Sequence, residues 1–220
     1  MREKQLRAVY ASNVVIVVLV AAAWVIMAFF GAEGTLASRG FGNLKYFTVL
    51  SNILAGAASA ALLVCLARVR RGAAERVPHS VYLLKFVAAA AVSVTFLVVS
   101  VFFSPWIGWL PMYRGANFWF HLVIPVLAVC EFVFLDRFDT ASRRETLMCM
   151  LPPLIYGCVY AVNVIANGAG GGPDGNDFYG FAHWGLPVGF GIFAAILLTS
   201  WGAGALMRLG NRGKSRSKTE

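Results

Sequence analysis

Six apolar stretches, each long enough at about 20 residues to cross a bilayer as a helix, constrain this chain more than any other feature. They are Ala8–Phe30, Lys45–Ala67, Ser80–Phe103, Gly115–Leu135, Leu147–Ala166 and Phe181–Met207. Of the 220 residues 59% are hydrophobic and only 13% charged, and the mean hydropathy is +0.71, far beyond what a soluble core needs. Loops of about 10 to 15 residues join the runs and leave no room for a soluble domain. The expected fold is all-α: an integral membrane bundle of six transmembrane helices over residues 1–207, with a basic tail at 208–220.

A net charge of +9 invites nucleic acid as a partner, but the distribution of charge argues against it. One set of alternate loops holds Arg2, Lys4 and Arg7, then Arg68, Arg70, Arg71 and Arg76, then Arg137, Arg143 and Arg144, then the residues from Arg208 to Lys218. The other set has only Arg39, Lys45 and Arg114, balanced by Glu33, Asp174 and Asp177. Positive loops stay inside, so both termini are expected in the cytoplasm of a multi-pass protein of the cell membrane, plasma or bacterial inner. The tail reads as a topology signal that also rests on anionic headgroups. The first run follows a basic flank as a signal peptide would, yet it exceeds the roughly 7 to 15 apolar residues of a signal core, and we keep it as a span. Cys65, Cys130, Cys149 and Cys158 all lie within spans and lack metal-ligand spacing, so neither a disulfide nor a metal is expected, and no cofactor is implied.

Topology gives each polar residue in a span a depth, and a buried polar group needs a partner. Thr48, Ser51 and Asn52 lie just inside the outer boundary of the second span, on one helix face. Asn117 and His121 stand one turn apart in the outer half of the fourth, Tyr156, Tyr160, Asn163 and Asn167 make a stripe on the fifth, and His183 opens the sixth. The inner half offers mainly Lys85 and Glu131, which can pair or snorkel. Ser, Thr and Asn commonly glue membrane helices together. A shared depth across four spans suggests instead a polar cavity open toward the outer leaflet.

Two His-x-x-x-Pro units strengthen that reading. Pro125 has no N–H for the carbonyl four residues back, that of His121, and Pro187 stands in the same relation to His183. Free carbonyls at membrane depth are tolerated where they line a cavity or are buried in protein.

An imidazole near neutrality suits a general base, and Thr48, Ser51 and Ser100 are the hydroxyls at its depth. Thr48 is favoured as nucleophile because a first helical turn offers unpaired N–H groups and the positive dipole end to an oxyanion. Asn117 can orient the imidazole or donate to the oxyanion, with Asn52 and Ser51 as further candidates. Tyr160, Asn163 and His183 are pocket or substrate-binding candidates, and His183 reads equally as a second base, a carboxylate partner or an interfacial histidine.

The stretch "LKYFTVLSNIL", followed about 70 residues later by "NFWFHLVIPVL", resembles the androgen-induced gene family of six-span membrane proteins and its bacterial relatives. A "KY-x-T" motif opens the second span in that family, and an "H…P" motif lies in the fourth. The resemblance covers the whole chain in span number and order. It implies a threonine hydrolase of fatty acid esters of hydroxy fatty acids, with Thr48 as nucleophile, His121 as base and a membrane lipid or fatty acyl compound as substrate.

Two other classes fit the same residues. A non-enzymatic binder or small transporter would use the outer cavity to hold a lipid or solute, although the sparse polar groups of the inner half give no path across. A scaffold subunit would pack small residues such as Gly56, Ala57 and Ala60 against partner helices. The segment from Asn167 to Gly180, rich in glycine, is either a gate over the site or slack between spans.

Overall fold

The structure, a computed structural model, describes residues 3–30, 40–170 and 175–212. Six helices form the chain: α1 (Glu3–Phe30), α2 (Phe47–Arg70), α3 (His79–Ile107), α4 (Ala116–Phe134), α5 (Glu145–Asn167) and α6 (Leu186–Arg212). All six are long and apolar enough to cross a membrane, and the described residues contain no strand. A 3-10 turn at Gly40–Lys45 leads into α2, and a single helical turn at Trp109–Met112 lies between α3 and α4.

Short connections make successive helices antiparallel, so the bundle has two unlike ends. The N-terminus of α1, the α2–α3 and α4–α5 turns and the C-terminus of α6 carry the described arginines other than Arg114 and define a basic end. The starts of α2, α4 and α6 lie at the other, the loop end. The loop-end residues Glu33, Arg39 and Asp174 of the charge pattern, four positions of the glycine-rich segment (171–174) and the tail from residue 213 lie outside the described residues.

Apolar surface gains little by leaving lipid for protein, so helices in a membrane associate through close packing and hydrogen bonds. α3 is the central strut, packed against α2, α4 and α6. Its run Ala88–Ala91 is buried throughout, small enough for neighbours to approach on several sides. Ile16 and Val20 of α1, Val49 and Ala58 of α2, Val92 of α3 and Phe120 and Ile124 of α4 form the main core. Gly56 faces Val20, where a Cβ would come within 3.1 Å of the valine side chain. Its small size therefore serves the α1–α2 contact, not a partner helix. Gly204 plays the same part between α6 and α5, where a Cβ would lie 2.6 Å from the Cys149 sulfur.

One boundary corrects the sequence reading. Residues 181–185 are turns and α6 starts only at Leu186. Gly180 and Gly185, at φ 70° and 90°, hold left-handed conformations that break the helix there. Pro187 then sits in the first turn, where its missing N–H costs nothing, so the second His-x-x-x-Pro unit is a helix start and not a break.

Candidate active site

Thr48, Asn117 and His121 line one small cavity of about 30 Å³ at the loop end, together with Tyr46, Met112 and Tyr179. Two features of α4 set the histidine. Residues Trp119–Val123 form a π turn, and Pro125 follows it directly. In a π turn the carbonyl donor lies five residues on, so the missing N–H of Pro125 frees the carbonyl of Phe120 and not, as α-helical spacing predicts, that of His121. Asn52 supplies the lost donor: its Nδ2 reaches the Phe120 carbonyl at 3.1 Å and the Thr48 carbonyl at 2.7 Å. One amide thereby ties the turn that carries Thr48 to the turn that carries His121.

The His121 ring is buried, and its Nδ1 lies 2.6 Å from the carbonyl oxygen of Met112. A carbonyl only accepts, so Nδ1 carries the proton and the lone pair of the neutral ring is on Nε2. That is the tautomer a general base needs, oriented by a third group as in other nucleophile–base pairs. Asn117 is likewise buried and lines the same cavity.

A second, almost wholly apolar cavity of about 110 Å³ lies between α2, α3, α5 and α6, lined by Val94, Val98, Pro153, Leu186, Phe190 and Phe193 among others. Thr48, Val99, Phe103 and Tyr179 border both spaces. Thr48 thus stands where a space suited to a hydrocarbon chain meets one that contains an imidazole and an amide. A second π stretch, Val98–Phe103 of α3, supplies part of this shared wall. Such stretches are frequent at functional sites.

The first turn of α2 is not open, as the sequence reading has it. The Phe47 N–H donates to the Tyr179 hydroxyl at 2.9 Å, so a phenol occupies the place expected for an oxyanion. Burial pushes that phenol up to about 12, so it keeps its proton at neutral pH. Tyr179 belongs to the connection before α6, which is pinned into the bundle. Its own N–H donates to the Tyr160 hydroxyl at 3.2 Å, Tyr160 donates to Asp177, and Asp177 accepts from the Ala182 N–H at 2.9 Å. Asn163 joins the same anchor through Asn176 at 3.1 Å, and Tyr156 donates to the Lys45 carbonyl at 2.6 Å. The Lys45 ammonium lies over the Tyr46 and Phe178 rings at 5.3 and 5.1 Å. The α5 stripe therefore holds the loop down, and of the three pocket candidates Tyr160 lines the apolar cavity.

Three expected positions fall elsewhere. The Ser51 hydroxyl is spent on Thr95, at 2.9 Å, and on the Thr48 carbonyl, so it ties α2 to α3 and borders neither cavity. Ser100 bonds the Tyr113 hydroxyl at 2.7 Å. His183 is exposed in the turn before α6, against Trp184, because that residue precedes the helix. Met112 and Tyr179 are site residues that span arithmetic cannot find, since they reach His121 and Thr48 from the connections between spans. The chain matches no protein-family model, no curated protein and no solved structure.

Proposed function

We propose that this chain is a multi-pass membrane protein with both termini in the cytoplasm, and that it hydrolyses lipid esters within the membrane, with Thr48 as nucleophile and His121 as base. The observation that carries this is the position of Thr48 on the border between an apolar cavity and one that contains His121. The likeness of its "KY-x-T" and "H…P" motifs to the androgen-induced gene family points the same way.

In this reading the acyl chain of a fatty acid ester, such as an ester of a hydroxy fatty acid, fills the space between α3, α5 and α6, and its carbonyl meets Thr48. His121 Nε2 takes the hydroxyl proton as Oγ1 attacks the carbonyl carbon. The oxyanion displaces the Tyr179 hydroxyl from the Phe47 N–H and receives the hydrogen bonds of both. Collapse expels the alcohol, which leaves with the proton from His121, and the acyl group stays on Thr48. A water deprotonated by His121 then releases the fatty acid and restores the threonine.

Purified protein in detergent, offered a panel of fluorogenic fatty acyl esters, tests the reading. Thr48→Ala and His121→Ala are each expected to lower turnover by at least about 100-fold while the fold is retained. A wild type inactive on every ester, or variants as active as it, leaves the two cavities as a binding site for a lipid.

A further inference from the structure

The basic end of the bundle holds a second polar cluster, remote from Thr48 and built differently. Lys85 of α3 and Glu131 of α4, both almost fully buried, form an ion pair at 2.6 Å. The ammonium also donates to Asn13 Oδ1 of α1 at 2.8 Å and to Ser59 Oγ of α2 at 3.1 Å, while Asn13 Nδ2 donates to Glu131 Oε1 at 2.6 Å. Four helices thus converge on one positive and one negative charge.

Asp136 upsets that balance. It follows the last turn of α4, where its N–H bonds back to the Glu131 carbonyl at 3.1 Å and brings the two acidic side chains within hydrogen-bonding reach. Asp136 is 0% exposed, and neither Oδ1 nor Oδ2 has a hydrogen-bond donor. Among the described residues no ion pair brings a second cation to its carboxyl. Glu131 and Lys85 are the charged groups that face it, α1 brings only the Gln5 amide, to the Leu135 carbonyl, and α6 brings the Asn211 amide, to the Asp136 carbonyl at 2.7 Å. Arg137 and Arg208 are near in sequence to this contact, but no ion pair among the described residues joins either to Asp136. Two carboxylates against one ammonium leave a buried negative charge uncompensated, a state that proteins avoid by several kcal/mol per ion.

We propose that the basic end contains a binding site for one proton, held by the Asp136 carboxyl against that of Glu131 and balanced by Lys85. The proton makes Asp136 a donor to Glu131, which satisfies the orphaned carboxyl and brings the cluster to neutrality. A metal cation does not fit the same place: Asn13 Oδ1, Ser59 Oγ and Glu131 Oε2, the oxygens that would ligate it, already surround the ammonium. Burial and the neighbouring Glu131 carboxylate both raise the affinity of Asp136 for its proton. The folded protein holds this proton more tightly than the unfolded chain, so stability is full at low pH and falls as pH rises through the range in which Asp136 ionises.

Infrared spectroscopy of the purified protein at neutral pH reads the proton directly. The expected result is one protonated-carboxyl carbonyl band in wild type and in Thr48→Ala, lost in Asp136→Asn, with no dependence on sodium against choline. Thermal unfolding gives the second readout: as pH rises above the ordinary carboxylate range, the melting temperature of wild type falls more steeply than that of Asp136→Asn, a neutral isostere that keeps the contribution of His79. Absence of the band from wild type, its survival in Asp136→Asn, or a melting temperature at high pH restored by sodium alone overturns the proposal. Should Asp136→Asn not fold, disappearance of the wild-type band on alkaline titration supports it, and a pH-independent or absent band overturns it.

Discussion

The loop end and the basic end of this bundle both bury polar groups among apolar helices, and they do so in opposite ways. At the loop end Thr48, Asn117 and His121 border open space, with no carboxylate or ammonium among the described residues lining that cavity. At the basic end the groups are charged, interlocked across four helices, and short of one donor. Open space beside a hydroxyl residue and an oriented imidazole suits chemistry. A closed knot of ions suits cohesion of the helices and the retention of a proton.

The contrast predicts that damage divides cleanly between the two ends. Lys85→Met strips the counter-ion from buried carboxyls and is expected to destabilise by about 3–5 kcal/mol, read as loss of folded protein in thermal or denaturant unfolding. Adding Glu131→Gln and Asp136→Asn to it is expected to recover most of that loss, since a neutral network leaves no charge unpaired. Thr48→Ala is expected to do the reverse: ester turnover falls at least about 100-fold and stability changes by less than about 1 kcal/mol. A Thr48→Ala protein that unfolds with loss of several kcal/mol would join the two ends into one structural role and break the comparison.

Smaller effects sharpen it. Asn52→Ala removes the amide between the Thr48 and Phe120 carbonyls and is expected to cost about 1–3 kcal/mol, with kcat lowered more than KM raised because the dyad loses its register. Gly157→Ala places a methyl against the Phe193 ring, which lines the apolar cavity. Phe193 must move, at about 1–3 kcal/mol, and the longest esters are expected to lose more activity than the shortest. Tyr179→Phe removes the hydroxyl from the Phe47 N–H, at about 1 kcal/mol, and is expected to lower kcat with little change in chain-length preference.

The spans were legible because hydropathy over about 20 residues is a one-dimensional signal. Its failure at α6 has a local cause: Phe181 and Trp184 continue the apolar run, but left-handed glycines at 180 and 185 stop the helix. Thr48, Asn117 and His121 were legible by depth alone. Their partners were not, for Met112 and Tyr179 act through a carbonyl and a phenol delivered by loops, and hydropathy says nothing of where a loop folds back. Lys85 and Glu131 could be paired from sequence. Asp136 could not be added to them, because it lies beyond the apolar run and only the turn after α4 brings it inward. Asn13 was readable in principle as a lone amide in α1, at the depth Lys85 occupies in α3.

The proposed mechanism requires that Thr48 become acylated. Brief incubation of the protein with an activated fatty acyl ester, acid quenching and peptide mass spectrometry tests it most directly. The prediction is one acyl group on the peptide that contains Thr48, slower to form in His121→Ala and missing from Thr48→Ala. An acyl group that forms on another residue, or a wild type that turns over ester with no acyl group at any time, contradicts it.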